Sequence, residues 1–146
     1  MKAVGTWQDG DRTLLEDDEG HALTVDLPRD EGGSDLGPSS LELSVMSLAG
    51  CISTIFVIVA RRRRLRLEEL RVELDAQRPE GAATIASVEG VLRVVTSAPR
   101  KDVATALDIT LRTCPVGVLF ERAHVPVRVH PEMVEPLTRK ALSTPA

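Results

Sequence analysis

Residues 43–60 (LSVMSLAGCISTIFVIVA) run for eighteen positions without a charge, and Arg61, Arg62, Arg63 and Arg64 follow at once. This run constrains the fold more than any other stretch. A helix apolar on nearly every face must be covered all round, by a large core, a bilayer or a second subunit. A chain of 146 residues has a single core and can hardly bury such a helix alone. The run has the outline of a membrane span with a positively charged flank. Against that, Ser44, Ser47, Ser53 and Thr54 dilute it, and eighteen residues is near the lower limit for a span. The segments around it are also half-apolar strands that need something to cover. The helix start is marked by Ser39-Ser40-Leu41-Glu42, a capping box in which Ser39 and Glu42 satisfy each other's backbone N–H. The arginines that follow suit a helix C-terminus, where cations complement the dipole; the competing role is a patch for phosphate or anionic lipid.

Around this helix the pattern is that of strands. Residues 2–8, 12–16 and 22–27 read as short strands separated by DGD at 9–11 and DDEG at 17–20, an antiparallel meander within 1–36. A Gly- and Asp-rich loop, 29–37, leads to the helix. Residues 70–78 alternate strictly, Leu70, Val72, Leu74 and Ala76 on one face and Arg71, Glu73, Asp75 and Gln77 on the other. A turn at 79–82 returns the chain through a strand at 85–96. Pro99 precedes a helix with Val103, Leu107, Ile109 and Leu111 as its apolar stripe, ending near Thr113. Pro115 opens a further short helix to about Arg122, and 125–130 forms an edge strand flanked by Pro126 and Pro131. Residues 132–146 are expected to be a flexible tail. With no repeat or linker, 1–146 reads as one α+β domain with helices on one side of antiparallel sheets.

Charge and aromatic content narrow the function. The net charge is −4, and residues 1–36 hold ten acidic residues against three basic, which disfavours nucleic acid. Trp7, Phe56 and Phe120 are the only aromatics, so flat ligands have few stacking platforms. His21, His124 and His130 lack the spacing of a metal site. Neither a phosphate-cradling glycine loop nor a Gly-x-Ser-x-Gly elbow occurs. The first residues, MKAVGTWQDGDR, lack the apolar segment of a signal peptide, and two cysteines are too few for a disulfide framework, so a cytoplasmic protein without a membrane anchor is expected.

Those two cysteines hold the remaining chemistry. A free cysteine is commonly a small core hydrophobe, and the residues alone leave both readings open. Cys114, in Thr-Cys-Pro-Val, sits where Pro115 starts a helix, and the helix N-terminus is expected to lower its pKa and favour thiolate. Cys51 lies inside the apolar helix, where desolvation favours the protonated thiol unless a cation lies close.

Gly37-Pro38-Ser39-Ser40-Leu41-Glu42-Leu43, then Ser47-Leu48-Ala49-Gly50-Cys51, and later Arg112-Thr113-Cys114-Pro115-Val116, resemble the osmotically inducible protein C and organic hydroperoxide resistance family (OsmC/Ohr). The order of strands and helices matches as well. The resemblance implies an intertwined homodimer, antiparallel sheets wrapped around long central helices, and a thiol-dependent peroxidase of the oxidative-stress response. Cys51 is then the peroxidatic thiol that attacks an organic hydroperoxide or hydrogen peroxide, and Cys114 the resolving thiol that closes a disulfide. An external dithiol is the reductant, with no bound cofactor or metal. The family also places an arginine from the N-terminal strands over the attacking thiolate, here Arg12 rather than Arg29, and a glutamate that holds it. Glu42 matches that glutamate, although the organic hydroperoxide branch carries it one residue earlier, where this chain has Leu41. Glu42 and Cys51 are nine residues apart, about 13 Å along a straight helix. Either Gly50 marks a break or Glu42 serves the partner subunit's cysteine, and the capping role remains beside both. The alternative function is a non-catalytic protein of this fold that holds a small hydrophobic ligand at the dimer interface.

Overall fold

The structure, a computed structural model, describes residues 1–134. Strands β1 (Ala3–Asp9), β2 (Arg12–Asp17) and β3 (Ala22–Val25) precede one turn of 3₁₀ helix at Arg29–Glu31 and the long helix α1 (Ser40–Arg62). Strands β4 (Leu67–Gln77) and β5 (Ser87–Thr96), helices α2 (Arg100–Thr113) and α3 (Pro115–Arg122), and strand β6 (Val127–Met133) complete the order. The chain divides into two compact units, Met1–Met46 and the residues from Ser47 onward, with the division inside α1.

In the first unit, β1, β2 and β3 form the expected antiparallel meander, with Gly5 opposite Leu15 and Leu14 opposite Thr24. Gly10 and Gly20, at φ 48° and 91°, make its two turns in the left-handed region that glycine enters without strain. Strand β3 ends two residues earlier than the apolar pattern suggests, because Asp26 turns the chain. Its buried carboxylate accepts from the N–H groups of Leu27, Ser34 and Leu36 at 2.8, 3.2 and 3.2 Å and so gathers the loop after the strand. Three backbone donors satisfy a buried charge that is otherwise costly. Gly37 is required here, since a Cβ would collide with the carbonyl oxygen of Thr24. The capping box forms as expected: Ser39 N donates to Glu42 Oε2 at 2.7 Å, and Glu42 N donates to Ser39 Oγ at 3.2 Å.

In the second unit the core is built from three elements. Leu48, Ile52, Phe56, Val59 and Ala60 form one stripe of α1, and Val88, Leu92 and Val94 of β5 and Val103, Ala106 and Leu107 of α2 are buried with them. Helix α1 is nevertheless mostly uncovered: 28% of its most apolar eighteen-residue window is buried, at a mean hydropathy of 2.3. By length and composition it is a helix able to cross a membrane. Met46, Gly50, Thr54 and Ile58, spaced four apart on the face opposite the core stripe, are exposed.

Strands β4 and β5 pair antiparallel from Leu67 opposite Thr96 to Gln77 opposite Ser87. The expected all-antiparallel arrangement fails at β6, which runs parallel to β5 from Val88 opposite Val127 to Val94 opposite Met133. The reason is the connection. Helices α2 and α3 together make a crossover that carries the chain back to the end where β5 began, so β6 enters in the same direction. Pro131 lies within β6, tolerated because this strand is at the sheet edge. Glu132 and Met133, expected in the tail, are strand residues; 135–146 lie outside the described residues. On the wet face, Glu73 accepts from Arg71 Nε at 2.7 Å and from Arg93, and Arg93 Nε reaches Glu132 at 3.1 Å. This ladder links all three strands in one register.

Phe56 is fully buried. Phe56→Ala is expected to lower the unfolding free energy by about 3–5 kcal/mol, read as a shift of the denaturant midpoint at unchanged slope. A loss below about 0.5 kcal/mol, the range of surface substitutions, would place Phe56 outside the core.

Candidate active site

The candidate site rests on one junction. Helix α2 ends at Thr113 and α3 begins at Pro115, so Cys114 serves both as the last cap of one and the first cap of the next, with φ −67° and ψ 113°. Its N–H donates to Thr110 O at 2.8 Å, closing α2. Its Sγ accepts from Gly117 N at 3.3 Å, the capping bond of α3. Pro115, whose missing N–H costs nothing at a first helical position, fixes the turn between the two. The side chain of Cys114 is thereby held in one orientation, fully buried.

That orientation meets Cys51. Cys114 Sγ donates to Cys51 Sγ at 2.8 Å across 63 residues of sequence, and both are free thiols. Cys51 projects from α1 and is half-buried. A covalent bond between them would need the sulfurs to close by only about 0.8 Å.

The expected thiolate at Cys114 is overturned. Burial, then donation to Cys51, push its pKa up from 9.0 to about 11, and the opposing N–H groups of Gly117 and Val116 are too weak to reverse this. The helix terminus acts in the expected direction, but α3 has eight residues and the sulfur sits out of water, so desolvation wins. Cys114 keeps its proton; the more accessible sulfur beside it is Cys51. Gly117 is a site residue that sequence reasoning did not single out. Its signal was present in its position three residues after a capping side chain, where the N–H is free to donate.

The bonds of the other expected residues lie within the first unit. Arg12 Nη2 pairs with Asp9 Oδ2 at 2.8 Å. Arg29 lies in the 3₁₀ turn, exposed. Glu42 engages Ser39, and those bonds hold its carboxyl below the usual range. Gly50 does not interrupt α1, which is helical throughout.

Behind Cys114 lies a cavity of about 570 Å³, walled by Leu48, Ile52 and Val125 on its apolar side, with Arg112, Glu121 and His124 as polar members.

A fold of this order has known counterparts. The OsmC-like protein family matches residues 32–130, and the chain belongs to that family. Protein YhfA of Escherichia coli K12 is 27% identical over 126 residues, covering 84% of this chain and 91% of that protein. The structure of an OsmC-like protein from Mycoplasma pneumoniae superposes with a TM-score of 0.80 at 13% identity, over 92% of this chain and 96% of that one. The organic hydroperoxide resistance protein OsmC of Legionella pneumophila gives 0.72 at 18% identity, over 90% and 97%. At these identities the two structures speak for the fold. The family includes proteins of hydroperoxide resistance, and this chain shares its architecture.

The raised pKa of Cys114 has a consequence for stability. Below pH 9 the thiol is protonated whether folded or unfolded. Between pH 9 and 11 the unfolded chain releases the proton first, so stability falls across that interval. The advantage of reduced wild type over Cys114→Ala is expected to shrink by on the order of 2 kcal/mol from pH 9 to pH 11. Denaturant titrations at the two pH values measure this, and a constant difference would overturn the assignment.

Proposed function

We propose that this protein is a thiol peroxidase that reduces organic hydroperoxides or hydrogen peroxide. The observation that carries the reading is the 2.8 Å approach of two free sulfurs of unequal burial, the deeper one holding its proton. Cys51, as thiolate, attacks the terminal oxygen of the hydroperoxide. An S–O bond forms, the O–O bond breaks, and the alkoxide leaves as the alcohol after taking a proton. Cys51 is then a sulfenic acid. Cys114 attacks that sulfur; an S–S bond forms and water departs with the sulfenic oxygen and the thiol proton of Cys114. An external dithiol, by exchange, returns both thiols and leaves as a disulfide. A resolving thiol already in contact closes the disulfide before a second peroxide can overoxidise Cys51.

In this reading Arg12 stabilises the attacking thiolate and Glu42 orients Arg12. The unbroken α1 favours Glu42 serving the partner subunit's cysteine in a homodimer. The exposed stripe of Met46, Gly50, Thr54 and Ile58 supports a second subunit as the cover that α1 lacks. A reducing cytoplasm would keep the pair ready. A second reading, favoured by the 570 Å³ cavity beside Cys114, is retention of a small hydrophobic ligand without turnover.

Intact mass after one equivalent of organic hydroperoxide separates them. Wild type is expected to lose two hydrogens within seconds, Cys114→Ser to accumulate oxygen adducts, and Cys51→Ser to stay unchanged. Thiols that remain reduced for minutes would sink the peroxidase reading in favour of the ligand.

Arg12→Gln is expected to slow the first step by roughly 100-fold, the usual effect of losing one donor to a reacting anion. Glu42→Gln keeps an oxygen for the capping bond with Ser39 and removes the charge. A slower Cys51 oxidation at unchanged helix stability would separate an orienting role from capping, and an unchanged rate would leave Glu42 as a cap alone.

A further inference from the structure

The arginines at 61–64 and 66 exceed what a helix terminus uses. Helix α1 ends at Arg62, so only Arg61 and Arg62 lie in its last turn, where cations complement the dipole. Arg63, Arg64 and Arg66 lie beyond it. Arg64 adopts φ 58°, and the helix closes around it through Leu65 N donating to Ala60 O at 2.9 Å. Glycine is the usual occupant of such a position, and an arginine there strains the backbone. All five side chains are exposed. Among the described residues none of the five makes an ion pair, whereas Arg12, Arg71, Arg93, Arg112 and Arg128 each do.

Topology brings two more cations to this place. Leu67 pairs with Thr96, and Thr96 Oγ1 donates to Arg66 O at 2.5 Å, so the end of β5 lies against the start of β4. Arg100 and Lys101, both exposed, open α2 just after. Among the described residues, seven cations against three carboxylates, Glu68, Glu69 and Asp102, therefore gather at one end of the second unit.

We propose that this end docks on an anionic phospholipid surface. A sheet of phosphate headgroups neutralises several exposed guanidiniums together and needs no fitted pocket. Nucleic acid suits the patch less well. Residues 1–36 hold ten acidic residues against three basic, a balance that disfavours nucleic acid. Segments 61–69 and 97–102 also contain no aromatic to stack a base. Docking is independent of the thiol chemistry, and either can fail without the other.

The test is flotation of the reduced protein with phosphatidylcholine vesicles, with and without phosphatidylglycerol, at low and physiological salt. It is run beside the combined variant Arg63→Gln, Arg64→Gly, Arg66→Gln. Glycine at 64 relieves the strained backbone, and circular dichroism with the thermal midpoint checks the fold. Wild type is expected on anionic vesicles alone, more weakly as salt rises. The combined variant is expected to bind about 100-fold more weakly, at roughly fivefold for each cation removed. If that variant loses its fold, Arg100→Gln with Lys101→Gln, on a different element, gives the same comparison with a loss of about 25-fold. Absence of binding to anionic vesicles at low salt, or equal binding by a folded variant, would overturn the proposal. Tighter binding to a duplex oligonucleotide than to the vesicles would overturn it in favour of nucleic acid. Self-association in sedimentation that the combined variant abolishes would assign the patch instead to the acidic residues 1–36 of a second copy.

Discussion

A helix with eighteen successive uncharged residues sets terms that every other element has to meet. The core of the second unit takes one stripe of α1, from Leu48 through Ile52 and Phe56 to Val59 and Ala60. To do so it spends the buried faces of β5 and α2, and the opposite stripe is still open to solvent. Apolar area left in water is unfavourable in proportion to its extent, so a chain that keeps this helix needs cover from outside itself. The placement of Cys51 on α1, half-buried beside the core stripe, follows from the same partial coverage. A helix fully enclosed by its own chain would seal the sulfur; one with no core stripe would not hold it against Cys114.

Much of the fold was legible because it was written in local signals. The Ser39–Glu42 box, the glycine turns at 10 and 20, the alternation from Leu70 to Gln77 and Pro115 after Cys114 each act within a few residues, and each is found where its chemistry places it. The direction of β6 was not legible in this way. Strand residues read the same whether the neighbour runs parallel or antiparallel, and the crossover that decides it is a property of two helices taken together. The early end of β3 at Val25 escaped for a related reason: Asp26 is a turn former whose three donors come from residues up to ten positions later.

The meeting of the two cysteines was legible in the sequence, but their electrostatics were not. Cys51 and Cys114 were marked by motif, and the structure brings their sulfurs into contact. The charge state expected of Cys114 was wrong, because a helix N-terminus is visible in the sequence and burial is not. The N–H groups of Gly117 and Val116 do favour the thiolate, yet desolvation and donation to Cys51 outweigh them. The competing terms come from packing of α1 against the α2–α3 junction, a contact between segments more than sixty residues apart.

That separation bears on how the molecule is made. Cys114 sits inside the crossover that joins β5 to β6, and its sulfur is fixed by bonds within α2 and α3 and by contact with α1. The β4–β5 hairpin is local and can form early, whereas parallel pairing closes a long loop and comes at a higher entropic cost. A nascent or partly folded chain thus carries two unrelated thiols, each with its ordinary solution reactivity. Their contact exists only where α1 has packed against the α2–α3 junction, so the pair is a property of the folded chain.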